Sequence, residues 1–231
     1  MDIFGDQWIH HDSKIMNRCR ELVGAEDLLL IPGDLSWAMR LADALLDLNF
    51  IHELPGTKII CKGNHDYWWP SLKKLHEALP PTVISVQNSV QRFGKVAIGG
   101  VRLWDDRELD FDRVINYKPN PKKNLDQALT ADENEAIFQK ELIRLEAVLQ
   151  AFHPEETKIL MCHYPPIGLD LESSRAGKLI EHYGVDICVF GHLHQLNTHA
   201  PLFGRRGKTN YQLTSCDYLD FTPQLILELP A

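Results

Sequence analysis

The sequence predicts an α/β fold in a single domain over residues 1–231, and three observations carry that prediction. Short apolar runs recur along the chain, and each ends in Gly, Asp, Asn or His. Amphipathic segments of helical period lie between them, so strand and helix alternate as they do in layered sheets. No apolar stretch approaches the ~20 residues that a membrane-spanning helix needs.

The runs are DLLLIPGD (27–34), TKIICKGNHD (57–66), KILMCHYPP (158–166) and ICVFGHLH (187–194). Nearly continuous Leu, Ile, Val and Cys over so few residues predicts strands buried on both faces. Residues 37–54 carry Met39, Ala42, Leu45, Leu46 and Asn49 at helical spacing, and 71–79 form a short amphipathic stretch that Pro80 and Pro81 stop. The clearest helix is predicted from Ala131 to Phe152, where Phe138, Leu142, Leu145, Leu149 and Phe152 form one stripe. Thr130 and Glu133 make a capping-box pattern at its start, and His153-Pro154 ends it. A further helix is expected around Lys14 to Val23. Trp104 to Asn124 is polar, contains Pro119 and Pro121 and keeps no period, which predicts a surface excursion that could serve as a lid. Beyond Gly204 the pattern reads as a turn between strands followed by two more strands.

Composition narrows the function. A net charge of −8 disfavours capture of duplex nucleic acid or anionic membrane, although a nucleotide-sized substrate stays compatible because a bound cation supplies its own local positive charge. The five cysteines are scattered and never form C-x-x-C, which argues against a disulfide framework and a structural zinc knot; Cys61, Cys162 and Cys188 read as core packing. MDIFGDQWIHHDSK has neither a basic start nor an apolar core, so the expected location is the cytoplasm. The oligomeric state is left open.

Four predicted strands deliver polar residues at their C-terminal ends, where open α/β sheets bind ligands. They are Gly33-Asp34, Gly63-Asn64-His65-Asp66, His163 and Gly191-His192-Leu193-His194. Taken singly each reads as a turn or a structural histidine. Together they supply carboxylate oxygen, amide oxygen and imidazole nitrogen, the mixture that a hydrolytic site with divalent cations needs.

In that order, GD, GNHD, H and GHxH resemble the calcineurin-like metallophosphoesterase superfamily. The resemblance implies a β-sandwich of two mixed sheets flanked by helices, and hydrolysis of a phosphomonoester or phosphodiester at two divalent cations, with Mn, Fe or Zn suited to the donors. It assigns Asp34 as the bridging carboxylate, Asn64, His163 and His192 as its companions on one cation, and His194 to the other. His65 would face the phosphate and protonate the leaving oxygen, with Asp66 fixing and charging its ring. The phosphoprotein-phosphatase branch has GD followed by x-V-D-R-G and uses GNHE, whereas this chain reads GDLSWA and GNHD, so a small phosphoester is the expected substrate.

One motif is missing. The superfamily's first strand ends in Asp-x-His, two ligands of the cation that His194 serves, and no aspartate here is followed two residues later by histidine. The chain therefore reads as starting just downstream of that strand. A start codon placed too late is favoured over real loss, because losing a central strand would expose backbone groups and an apolar sheet face. The alternative function is a non-catalytic or one-metal binding scaffold of the same fold.

Several other residues have everyday readings. His10, His11 and Asp12 read as a solvated helix face, and His52, His76, His153, His182 and His199 as structural. Tyr67-Trp68-Trp69-Pro70 divides evenly between a substrate wall and core packing. Arg205, Arg206 and Lys208 read as a solvated turn.

Overall fold

The structure, a computed structural model, describes residues 5–116, 129–197 and 202–229. Among these the strands are β1 (Leu28–Ile31), β2 (Thr57–Ile60), β3 (Val83–Ser85), β4 (Ser89–Phe93), β5 (Val96–Val101), β6 (Thr157–Cys162), β7 (Ile187–Phe190), β8 (Arg205–Arg206) and β9 (Thr209–Leu213). The helices are α1 (His11–Leu22), α2 (Leu41–His52), α3 (Leu72–Ala78), α4 (Ala131–Gln150) and α5 (Arg175–His182). One sheet has the order β1-β2-β3 with parallel pairings; the other is mixed, with the order β4-β5-β6-β7-β9-β8.

Side-chain alternation along the strands builds the layers. Val96, Ile98, Ile159, Met161, Ile187 and Val189 face the other sheet and meet Ile59, Cys61 and Val86 in one apolar layer. Their neighbours Ala97, Val101, Leu160, Cys162, Cys188 and Phe190 point the opposite way, onto α4 and α5 through Leu145, Val148, Leu149, Ala176 and Ile180. On the far side, Ile60 and Val83 pack against Ala44, Leu48 and Ile51 of α2 and Leu75 of α3. The result is helix, sheet, sheet, helix. Cys61, Cys162 and Cys188 are fully buried in these layers, as packing residues.

Local chemistry sets the helix ends. Thr130 and Glu133 form the capping box at α4, with Glu133 N donating to Thr130 Oγ1 at 3.2 Å and Thr130 N donating to Glu133 Oε2 at 2.8 Å. Lys58 is fully buried, and its ammonium donates to the carbonyls of His52, Leu54 and Gly56, which closes the C-terminal end of α2.

Three segments differ from the sequence reading. Residues 83–101, which the apolar-run reading leaves unassigned, form β3, β4 and β5. The two-residue turn at Gly94 and the exposed Gln91 and Arg92 of β4 dilute the hydrophobic signal there. At the other end, β8 and β9 form a short hairpin, but 214–229 contains no strand among the described residues; Ile226 and Leu227 pack on the intersheet layer without joining a ladder. Of the excursion predicted from Trp104 to Asn124, residues 117–124 lie outside the described residues, and 104–116 carries one helical turn and an isolated bridge from Ile115 to Leu196. No helix among the described residues is long and apolar enough to cross a membrane.

Candidate metal centre

The loops that follow β1, β2, β6 and β7 meet at one edge of the sandwich. The first two are in backbone contact, and only glycine allows it: a Cβ on Gly63 would lie 2.1 Å from Asp34 Oδ1, and one on Gly33, whose φ is 95°, would lie 2.6 Å from Gly63 N. Asp34 and His192 themselves sit in the left-handed region, at φ 56° and 68°. Non-glycine residues there cost roughly 1 to 2 kcal/mol each, and such strain collects at functional sites.

Four donor atoms converge. His163 Nε2 is 2.6 Å from Asn64 Oδ1, 3.2 Å from His192 Nδ1 and 3.5 Å from Asp34 Oδ2, and His192 Nδ1 is 3.1 Å from Asn64 Oδ1. The other ring nitrogen of His163 decides what this means. Nδ1 lies 2.9 Å from the Pro32 carbonyl, which can only accept, so Nδ1 carries the proton and Nε2 presents its lone pair inward. Burial lowers His163 to about 3; burial, followed by the neighbouring His163, lowers His192 to about 3. Both rings are therefore neutral at pH 7.

With His163 Nδ1 protonated, its Nε2 lone pair meets the Asn64 Oδ1 lone pairs at 2.6 Å with no hydrogen between them, and a shared cation removes that repulsion. Ligands held ~2.0–2.2 Å from a divalent ion stand roughly 3 Å from one another, close to the separations found here. The donors thus fit one cation. Asp34 and His192 both meet His163 Nε2, and the Asn64 amide oxygen links the two histidines a second time.

His194 stands outside this set. Its Nδ1 is 2.7 Å from Asp217 Oδ1, and its ring packs edge-on against Trp8 at 5.7 Å. Asp217 also accepts from Gln195 N at 2.8 Å. Burial pushes Asp217 upward, but the His194 bond and charge and the backbone N–H outweigh it and hold the carboxyl below its ordinary value. A carboxylate on one nitrogen of a histidine aims the other outward, the arrangement that orients metal-binding histidines. The sequence reading missed Asp217 because SCDYLD was absorbed into a predicted run of strands. We expect Asp217→Asn to weaken binding of a cation at His194 by about 10- to 100-fold, read by metal titration of the folded protein.

Asp66 differs from its expected role. Its carboxylate accepts five N–H bonds, from Asp34, Gly63, Leu35, Ser36 and the Trp68 indole, at 2.8–3.1 Å, and no hydrogen bond joins it to His65 among the described residues. It therefore staples the GD loop to the GNHD loop instead of charging the His65 ring. Burial lifts its carboxyl to about 6 against the opposing Gly63 N–H, which leaves it ionised at neutral pH, the form that five donors require.

His65 is held by other partners. Its ring stacks on Trp37 at 4.5 Å, and its Nδ1 lies 3.1 Å from Tyr67 Oη, which leaves Nε2 without a bond among the described residues. The aromatic run divides accordingly: Tyr67 is exposed beside His65, while Trp68 is buried on Asp66. At the opposite wall Tyr164 packs on His192 at 4.1 Å, and Asp105 Oδ1 lies 3.9 Å from His192 Nε2.

The remaining candidates have structural partners. His11 Nδ1 bonds Trp8 O, His10 precedes α1, His52 meets Thr82 and His76 meets Ser85. Arg206 pairs with Glu181 and Lys208 with Asp186. His199 lies outside the described residues.

Compared with known proteins, residues 8–196 match the family model described as calcineurin-like phosphoesterase. No curated protein matches the chain by sequence. Among solved structures, the crystal structure of the phosphopantetheinyl hydrolase from Mycobacterium tuberculosis resembles this fold with a TM-score of 0.53 and 15% identity, over 83% of this chain and 79% of that one. The matched span contains the converging loops and most of the two-sheet sandwich, and the chain belongs to the calcineurin-like phosphoesterase family.

Proposed function

We propose that this chain hydrolyses a small phosphomonoester or phosphodiester with divalent cations, Mn, Fe or Zn. The observation that carries the reading is the inward lone pair of His163 Nε2, fixed by the Pro32 carbonyl and facing Asn64, His192 and Asp34. Asp34, Asn64, His163 and His192 would hold one cation, and Asp34 with His194 would contribute to a second. Cations bound there supply Lewis acidity to the phosphoryl oxygens and acidify water.

The chain's own residues supply orientation and a proton. Trp37 and Tyr67 hold the His65 ring so that Nε2 is open toward an incoming ester. In its protonated form His65 gives the Nε2 proton to the leaving oxygen as the P–O bond breaks and water oxygen joins phosphorus. A net charge of −8 favours small substrates over long polyanions.

The test is hydrolysis of bis(4-nitrophenyl) phosphate with added Mn. Turnover should stop on chelation and return with Mn; turnover that survives complete metal removal overturns the reading. A second reading, a one-metal protein of the same fold without turnover, is favoured by the position of His194, which among the described residues has no hydrogen bond to Asp34, Asn64, His163 or His192 and stands outside their convergence. One bound metal per chain together with no hydrolysis under any cation would select it.

A further inference from the structure

A cleft of about 300 Å³ lies beside the converging loops, lined by Lys62, Trp69, Asn88, Arg102, Glu141 and Arg144 among others. Its charge is unusual for this protein: three cations and one carboxylate meet on a chain of net charge −8. Glu141, only 1% exposed, accepts from Arg102 Nη2 at 3.1 Å and from Arg144 Nη1 at 2.5 Å through the same oxygen, Oε1. One carboxylate oxygen thus holds both guanidinium groups in place without neutralising both. The Lys62 ammonium has no ion pair among the described residues, so two positive charges remain uncompensated.

Unmade hydrogen bonds point the same way. Arg102 Nε and Trp69 Nε1 are buried donors without partners, and Glu141 Oε2 is a buried acceptor without one. Buried polar atoms rarely stay unpaired, and each costs stability until a ligand or water satisfies it. Oxyanion acceptors suit the two donors and the three cations, and a hydroxyl on or beside the anion suits Glu141 Oε2.

The cleft is tied to the candidate metal centre. Lys62 is two residues from Asn64, and the Arg102 carbonyl accepts from His163 N at 3.2 Å and Tyr164 N at 3.0 Å. The Arg102 guanidinium lies 4.6 Å over Trp104, which packs on Tyr164, which packs on His192.

We infer that this cleft is a subsite for a second phosphate of the substrate, so that the substrate class is a small bisphosphorylated ester and not a simple monophosphate. The inference rests on the hydrolase reading above, and its first test is independent of catalysis. Titration calorimetry of the metal-free protein with inorganic phosphate should show one site per chain that weakens with added NaCl. Arg144→Gln and Lys62→Gln should each weaken it about tenfold, the worth of one charge-assisted hydrogen bond. Thermal melting checks that both variants are folded.

The second arm uses the Mn-loaded enzyme. kcat/KM should be at least about tenfold higher for glucose 1,6-bisphosphate than for glucose 1-phosphate, with the ratio falling toward one in Arg144→Gln. Absence of phosphate binding in the metal-free wild type, or wild-type affinity in both variants, overturns the subsite while leaving hydrolysis standing. Equal kcat/KM for the two substrates overturns its assignment to substrate. Binding retained without turnover under any cation defeats the hydrolase reading instead, and with it the role in substrate recognition.

Discussion

Replacing His163 with alanine is expected to lower Mn-dependent hydrolysis by about 10³-fold and to remove one bound cation per chain. The magnitude follows from losing several kcal/mol of charge stabilisation at roughly 1.4 kcal/mol per decade. His163 is the hub of the convergence: its Nε2 lies within 3.5 Å of atoms from Asn64, His192 and Asp34. Without it the remaining donors surround a gap, and the Pro32 carbonyl loses its donor. His65→Ala makes the useful contrast, since His65 touches that set through its backbone N–H, which donates to Asp34 Oδ1 at 2.8 Å and survives the substitution, and its ring has no hydrogen bond to the set among the described residues. Its activity should fall by about 10²- to 10⁴-fold while both metal content and melting temperature hold. Metal analysis beside steady-state kinetics separates the two variants, and full metal loading in His163→Ala would remove that residue from the ligand set.

Asp66→Ala should instead be a stability mutant. Five N–H donors lose their acceptor at a site with no solvent exposure, and each buried donor left unpaired costs about 1–3 kcal/mol. Partial relaxation and water entry reduce the sum, and a loss of about 4 kcal/mol is expected, which for a chain of this size lowers Tm by roughly 8–16 °C. Asp66→Asn keeps one oxygen but turns an NH2 toward N–H groups, so it should lose about half as much. Calorimetric melting decides the matter. An unchanged Tm with lost activity would return Asp66 to the role of charging His65.

The motifs at the ends of the apolar runs were legible because a buried strand that stops abruptly at polar residues is a strong local signal. Asp34, Asn64, His163 and His192 come together in the structure from positions 29 to 158 residues apart along the chain, through sheet pairing that no local pattern reports. β4 was hidden for the opposite reason: Gln91 and Arg92 are exposed and Ser89 is polar, so three of its five residues carry no apolar signal. The position of Asp66 in GNHD suggested a partner for the adjacent ring. Adjacent residues rarely face each other, and the carboxylate turned inward to the loop amides because buried N–H groups must be satisfied. Asp217 was invisible because its partner, His194, lies 23 residues away and across the sheet edge.

The two histidine-orienting contacts have different tolerance to genetic change. The acceptor for His163 is the main-chain carbonyl of Pro32, and no side-chain replacement at position 32 deletes a carbonyl. The acceptor for His194 is the side chain of Asp217, which a single codon change erases. Random mutagenesis should therefore find the aim of His163 robust, disturbed only by substitutions that move the β1 loop itself, and the aim of His194 fragile. A library sorted by metal content would recover position 217 and leave position 32 nearly silent.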